Sequence, residues 1–153
     1  MSKPFSPADL DAFVDLLKQQ VDCYRAMIDL TARQELAVAS ADTGVLIVVA
    51  EEKSAVLRRV DEIEGRLAPL RISWQEYRDR AAEAERRRLE SSVDGVKKVL
   101  EELLAAEERW QRVVEGAKLD RDQRMRRIDA ARRVRNAYGG PDPAASRFLD
   151  ENK

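Results

Sequence analysis

The sequence predicts an all-α protein, an elongated antiparallel helical hairpin with a long third helix packed beside it as a three-helix bundle or coiled coil. Three observations carry this. Ala, Glu, Arg, Leu and Val dominate a chain of 153 residues that is 37% charged and 5% aromatic, the composition of long helices. The prolines stand at positions 4, 7, 69, 141 and 143, leaving 8–68 and 70–140 free of them, and proline is costly inside a helix. Apolar residues recur at alternating spacings of three and four, the signature of one helical face.

Helix one is expected over 7–40. Ser6-Pro7-Ala8-Asp9 supplies an N-cap serine, proline at the first helical position and an acid in the first turn. Leu10, Val14, Leu17, Val21, Tyr24, Ile28 and Thr31 form its seam, widened by Phe13, Leu16, Cys23 and Met27. At ~1.5 Å per residue it is ~50 Å long. Asp42-Thr43-Gly44 reads as a turn with an N-cap, opening helix two over 43–68 with the seam Val45, Val49, Glu52, Val56, Val60 or Arg59, Ile63 and Leu67. The unbroken apolar run Val45–Ala50 resembles a strand, but no second strand-like segment exists to pair with it. It is read as the first turns of helix two, buried on more than one side. Pro69 is expected to end that helix.

Ser73-Trp74-Gln75-Glu76 has a capping-box pattern and starts helix three, expected over 74–136 with a candidate break at 91–95. Its seam runs Val96, Leu100, Leu103, Ala106 or Glu107, Trp110, Val114 and Ala117. Residues 118–135 then hold eight basic and three acidic residues, with Met125, Ile128, Ala131 and Val134 as a thin apolar stripe. Tyr138-Gly139-Gly140-Pro141 stops the helix. The bundle domain is thus 1–138 and 139–153 a flexible tail. The last helix is expected to overhang the hairpin.

The same residues exclude several functions. Lys and Arg total 28 and Asp and Glu 29, a net charge of −1, against a nucleic-acid coat. There is one cysteine and no histidine, so the usual zinc sites and the Ser-His and Cys-His catalytic arrangements are absent. The longest apolar run falls far short of the ~20 residues that span a bilayer, and no signal-peptide pattern opens the chain. A cytoplasmic protein without membrane insertion is expected. Paired glutamates on charged helices are solvated faces, and a slender bundle offers no pocket to separate their pKa values. No catalytic residue, metal or cofactor is assigned. Glu52 is expected at the bundle edge beside a cation. The arginine run 121–135 reads as a solvated amphipathic helix rather than a nucleic-acid site, because aspartates dilute it and no aromatics are interleaved, and its thin apolar stripe suits a groove-type contact with a partner helix. Tyr138 either packs back on its own helix or serves as a docking anchor.

Three segments in order resemble the flagellar type III export chaperones of the FlgN family. Glu51-Glu52-Lys53-Ser54-Ala55-Val56-Leu57 is similar to that family's acidic-Lys stretch followed by a leucine, with Glu51, Glu52, Lys53 and Leu57 as the signature residues. Val113-Val114-Glu115-Gly116 followed by Arg121-Asp122-Gln123 is similar to its last helix. Tyr138-Gly139, a short linker and a polar tail with Ser146-Arg147 resemble its C-terminal end. The charge of 74–95 and the arginine excess after Lys118 depart from the family.

The resemblance implies a non-enzymatic chaperone. It would hold the C-terminal helices of hook-associated, hook–filament junction proteins, prevent their premature assembly and deliver them to the export apparatus. Its partners there would be ATPase-associated components and the cytoplasmic domain of the export gate. Cargo binding maps onto Val113, Val114, Ala117, Met125, Ile128, Ala131 and Val134, and gate docking onto Tyr138 and Gly139. The free chain would be a monomer or weak dimer. The alternative is a structural coiled-coil scaffold or stalk that acts by self-association.

Overall fold

The structure is a computed structural model that describes residues 4–138. Among these it contains three α-helices and no strand: α1 (Pro7–Ala39), α2 (Thr43–Tyr77) and α3 (Glu83–Tyr138), with one 3-10 turn at Arg78–Arg80. No helix among the described residues is long and apolar enough to cross a membrane. The helical bundle read from the sequence is the fold. The expected tail, 139–153, lies outside the described residues.

The start of α1 is as its sequence requires. The Ser6 hydroxyl accepts from the Asp9 N–H at 3.2 Å, and the Ser6 N–H donates to Asp9 Oδ2 at 2.9 Å, so two otherwise orphaned donors are satisfied. Its end is tighter. The Asp42 N–H donates to the Ala37 carbonyl at 2.8 Å and the Ala41 N–H to Val38 at 3.2 Å. This closure puts Ala41 at φ 53, a left-handed position that glycine usually fills. Asp42 Oδ1 then accepts the Val45 N–H at 3.1 Å and caps α2.

Two predicted boundaries are corrected. Helix two was expected to end at Pro69, yet α2 runs through Pro69 to Tyr77. Pro69 and Gly65, whose carbonyl loses its i+4 donor, are both exposed, so water can take the unmade bond. In return Trp74 and Tyr77 reach Phe5, with ring centroids 5.4 and 5.2 Å away, and this cluster buries Phe5 to 8% exposure. Ser73–Glu76 therefore lies within α2 and caps nothing. Helix three begins at Glu83, not 74. Its cap is the Ala82 N–H, which donates to Glu85 Oε1 at 3.1 Å, and that oxygen also accepts the Tyr77 hydroxyl at 3.1 Å. The candidate break at 91–95 is unbroken helix. Ser92 donates its hydroxyl to the Arg88 carbonyl at 3.1 Å, while Val93 and Val96 pack against the core.

The core of residues 1–113 gathers Leu10, Phe13, Val14, Leu16, Leu17 and Cys23 from α1, Val60, Ile63 and Leu67 from α2, and Leu89 from α3. Polar pairs fix how the helices align. Gln20 reaches Glu64 and Arg33 reaches Glu52, so α1 and α2 are antiparallel. Arg88 pairs with Asp11, 77 residues away, and Glu107 with Thr31, 76 residues away. A constant offset means that α3 runs parallel to α1.

Leu10, Val14, Leu17 and Thr31 of the predicted seam are buried, as are the flanking Phe13, Leu16, Cys23 and Met27, but the buried face also takes in residues the seam lacked. Phe13, Leu16, Gln20, Cys23, Met27, Leu30, Gln34 and Ala37 are all buried, at spacings of three and four, whereas Val21 and Ile28 are half-buried. The run Val45–Ala50 is also corrected. Val49 is fully buried, but Ile47 and Val48 keep 59% and 46% exposure. These first turns of α2 bury one side only.

The chain divides into two compact units at Val113 and Val114. In the second, residues 118–138 are exposed throughout.

Candidate functional site

The candidate residues fall into two groups with different surroundings. The first is the Glu51–Leu57 stretch of α2. Its geometry follows from helical spacing: Val49, Val56, Val60 and Ile63 face the core, so of the intervening charged residues one must turn inward. It is Lys53, not the Glu52 that the seam pattern placed there. The Lys53 side chain is 12% exposed, against 46% for Glu52.

Lys53 Nζ donates to Glu107 Oε1 at 2.9 Å. That same oxygen lies 3.0 Å from the Thr31 hydroxyl, which also stands 2.8 Å from the Met27 carbonyl. Thr31 is 1% exposed. One carboxylate oxygen of α3 thus joins a buried hydroxyl of α1 and a nearly buried ammonium of α2. Glu52 pairs with Arg33 at 2.9 Å on the exposed edge, as expected of it. Glu51 is exposed and Leu57 keeps 51% exposure. Lys53 and Glu52 are therefore tethers between helices, whereas Glu51, Ser54, Ala55 and Leu57 offer themselves to solvent. Near this junction Gln34, 8% exposed, has an Oε1 with no partner among the described residues.

A second polar tie lies farther down the bundle. Glu64 accepts from Arg71 at 2.7 and 3.2 Å through both its oxygens and from Gln20. Arg71's hydrogen bonds hold the Glu64 carboxyl below the usual carboxylate range, although partial burial opposes them, and Gln20 adds to the depression. Beside this tie, residues of all three helices line a cavity of about 460 Å³ with Phe13, Leu17 and Leu89 among its walls and Arg78, Arg86, Glu90 and Asp94 around it. The charges are of both signs and the walls apolar, so the cavity presents no set of groups convergent on one chemistry.

The second group belongs to the end of α3. Val113, Val114 and Ala117 are half-buried. Met125, Ile128 and Val134 keep 54%, 47% and 57% exposure, Leu119 61% and Tyr138 89%; Ala131 is exposed. Tyr138 at that exposure does not pack back on its helix. Gly139 lies outside the described residues. None of the eight cations in 118–138 makes an ion pair among the described residues.

Helix geometry corrects the expected stripe. Residues three apart fall ~60° short of a full turn, so Met125, Ile128, Ala131 and Val134 wind about the helix, and the first and last stand roughly half a turn apart. They cannot all touch one straight partner. The face that stays in line alternates spacings of three and four: Val114, Ala117, Arg121, Arg124, Ile128, Ala131, Arg135 and Tyr138. Sequence inspection missed it because arginine holds three of its eight positions.

No family model matches the chain, and no characterised protein or solved structure is significantly similar to it.

Proposed function

We propose that the chain is a non-enzymatic export chaperone that presents the end of α3 to an amphipathic helix of its cargo. The observation that carries the reading is the exposure of residues 118–138, with five large apolar side chains open to solvent on a segment that has no packed partner among the described residues. A helix in that condition recruits its packing from another molecule.

The identity of the cargo follows from the resemblance of Glu51–Leu57, Val113–Gln123 and Tyr138-Gly139 to the FlgN family. The cargo is the C-terminal helical region of hook-associated junction proteins, and Tyr138 docks the chaperone on the export gate. An aromatic side chain at 89% exposure has most of its area still to bury.

Amide hydrogen exchange with and without a junction-protein C-terminal fragment tests the reading. New protection over 118–138 in a one-to-one complex is expected, and its absence would count decisively against a cargo helix there. Tyr138→Ala should leave helicity and cargo binding intact while weakening binding to the gate's cytoplasmic domain. Loss of cargo binding instead would put the tyrosine in the wrong interface. A scaffold or stalk, by contrast, would appear in solution-mass measurements as a stable homodimer indifferent to the fragment.

A further inference from the structure

Within the reading that 114–138 receives a partner helix, we infer that the partner is acidic in its seam: an amphipathic helix with carboxylates at the positions that meet Arg121, Arg124 and Arg135. The in-line face of this segment, Val114 to Tyr138, has apolar or small residues at 114, 117, 128 and 131 and an aromatic at its end. The other three positions are arginines that are exposed and unpaired among the described residues. A helix that docks along this face must cover them. Arginine tolerates that better than lysine, since its guanidinium is weakly hydrated and takes a carboxylate through two parallel hydrogen bonds. An all-aliphatic seam would strip water from three cations and return nothing. The complementary helix therefore carries two carboxylates about a turn apart and a third about three turns farther along, with aliphatic residues between.

Charge also separates the possible occupants. The face holds no carboxylate of its own, so no register of this seam against a second copy neutralises any of the arginines. Residues 118–138 carry eight basic and three acidic residues, whereas residues 1–113 carry 18 basic and 22 acidic. Nucleic acid would meet Asp120, Asp122 and Asp129 on the same segment, and only Tyr138 is there to stack on a base.

The test uses the full chain and two synthetic amphipathic peptides, identical except for Glu or Gln at the three seam positions, read by fluorescence anisotropy. The Glu peptide should bind at least about tenfold more tightly, the scale of a close charge pair at an interface. The triple variant Arg121→Glu/Arg124→Glu/Arg135→Glu should reverse the order and prefer a third peptide with Lys at those positions. If that variant loses helicity, the Arg→Gln triple variant should abolish the preference between the Glu and Gln peptides. Equal affinity for those two peptides in the unmodified chain, failure of both to bind, or a random-sequence DNA duplex that binds more tightly than the Glu peptide would overturn the inference. Its failure is separable from that of the cargo reading. A junction-protein fragment that binds regardless of acid-to-amide changes in its seam sinks this inference alone. A Glu peptide that binds where the fragment does not sinks the cargo reading alone.

Discussion

Removing Glu107 should destabilise the bundle more than removing its cationic partner Lys53. In Glu107→Ala the Lys53 ammonium, at 12% exposure, loses its only carboxylate within 4 Å among the described residues, while Thr31 keeps the Met27 carbonyl. Breaking a fully buried pair by deleting one member costs about 3–5 kcal/mol. Here Glu107 is 35% exposed, so water can enter where the carboxylate stood, and about 2 kcal/mol is the expected cost. Lys53→Met keeps the aliphatic stem and removes the charge. The carboxylate it leaves still accepts from Thr31 and still meets water, so this cost should stay below ~1 kcal/mol. At about 2–4 °C per kcal/mol for a chain of this size, Glu107→Ala should lower Tm by ~4–8 °C and Lys53→Met by at most ~4 °C. Far-UV circular dichroism melts of both single variants and the double variant give the comparison. In the Lys53→Met background, Glu107→Ala should cost about 1 kcal/mol less than it does alone. A Lys53→Met variant that loses as much as Glu107→Ala, or a double variant whose loss is the simple sum, would refute the idea that this oxygen joins the helices.

Two further outcomes are expected. Ala41→Gly should raise Tm by about 2–4 °C, because φ 53 strains an alanine and not a glycine; an unchanged or lower Tm would show the corner to be unstrained. Glu64 has a folded-state pKa below the usual range, so its pairing stabilises the fold above the unfolded value of ~4.3 and is lost as pH falls through the lower, folded value. Glu64→Gln should therefore cost up to ~1 kcal/mol near neutrality and flatten the loss of stability below pH ~4. Parallel acid curves for the two proteins would contradict it.

The fold class was readable because helix formation leaves a periodic trace in composition and spacing, and Ser6–Asp9 declares the start of α1 without tertiary help. What stayed hidden had tertiary causes. Pro69 stops a helix by local rules, but Phe5, distant in sequence, gives Trp74 and Tyr77 a place to bury. The buried face of α1 was read only in part because Gln20 and Gln34 sit in it beside the apolar residues, and their burial makes sense only when Glu64 and the neighbouring helices are present. Lys53 stood out for its place in the Glu51–Leu57 stretch, not for its packing. Its inward turn depends on Glu107, 54 residues later, which no local pattern reports. In the other direction, the stripe Met125–Val134 looked continuous on paper and winds away from any single partner once it is set on a helix.

The polar pairs that align the helices of residues 1–113 also fix their register. An apolar seam repeats every heptad, so a helix could slide by one repeat and bury much the same surface. The polar rungs do not repeat. Slipping α3 by seven residues would separate Arg88 from Asp11 and Glu107 from both Thr31 and Lys53 at once. Those few rungs act as a vernier: within residues 1–113 they single out one register among those the apolar seam would allow. Moving or deleting a rung would open the neighbouring registers without repacking the core.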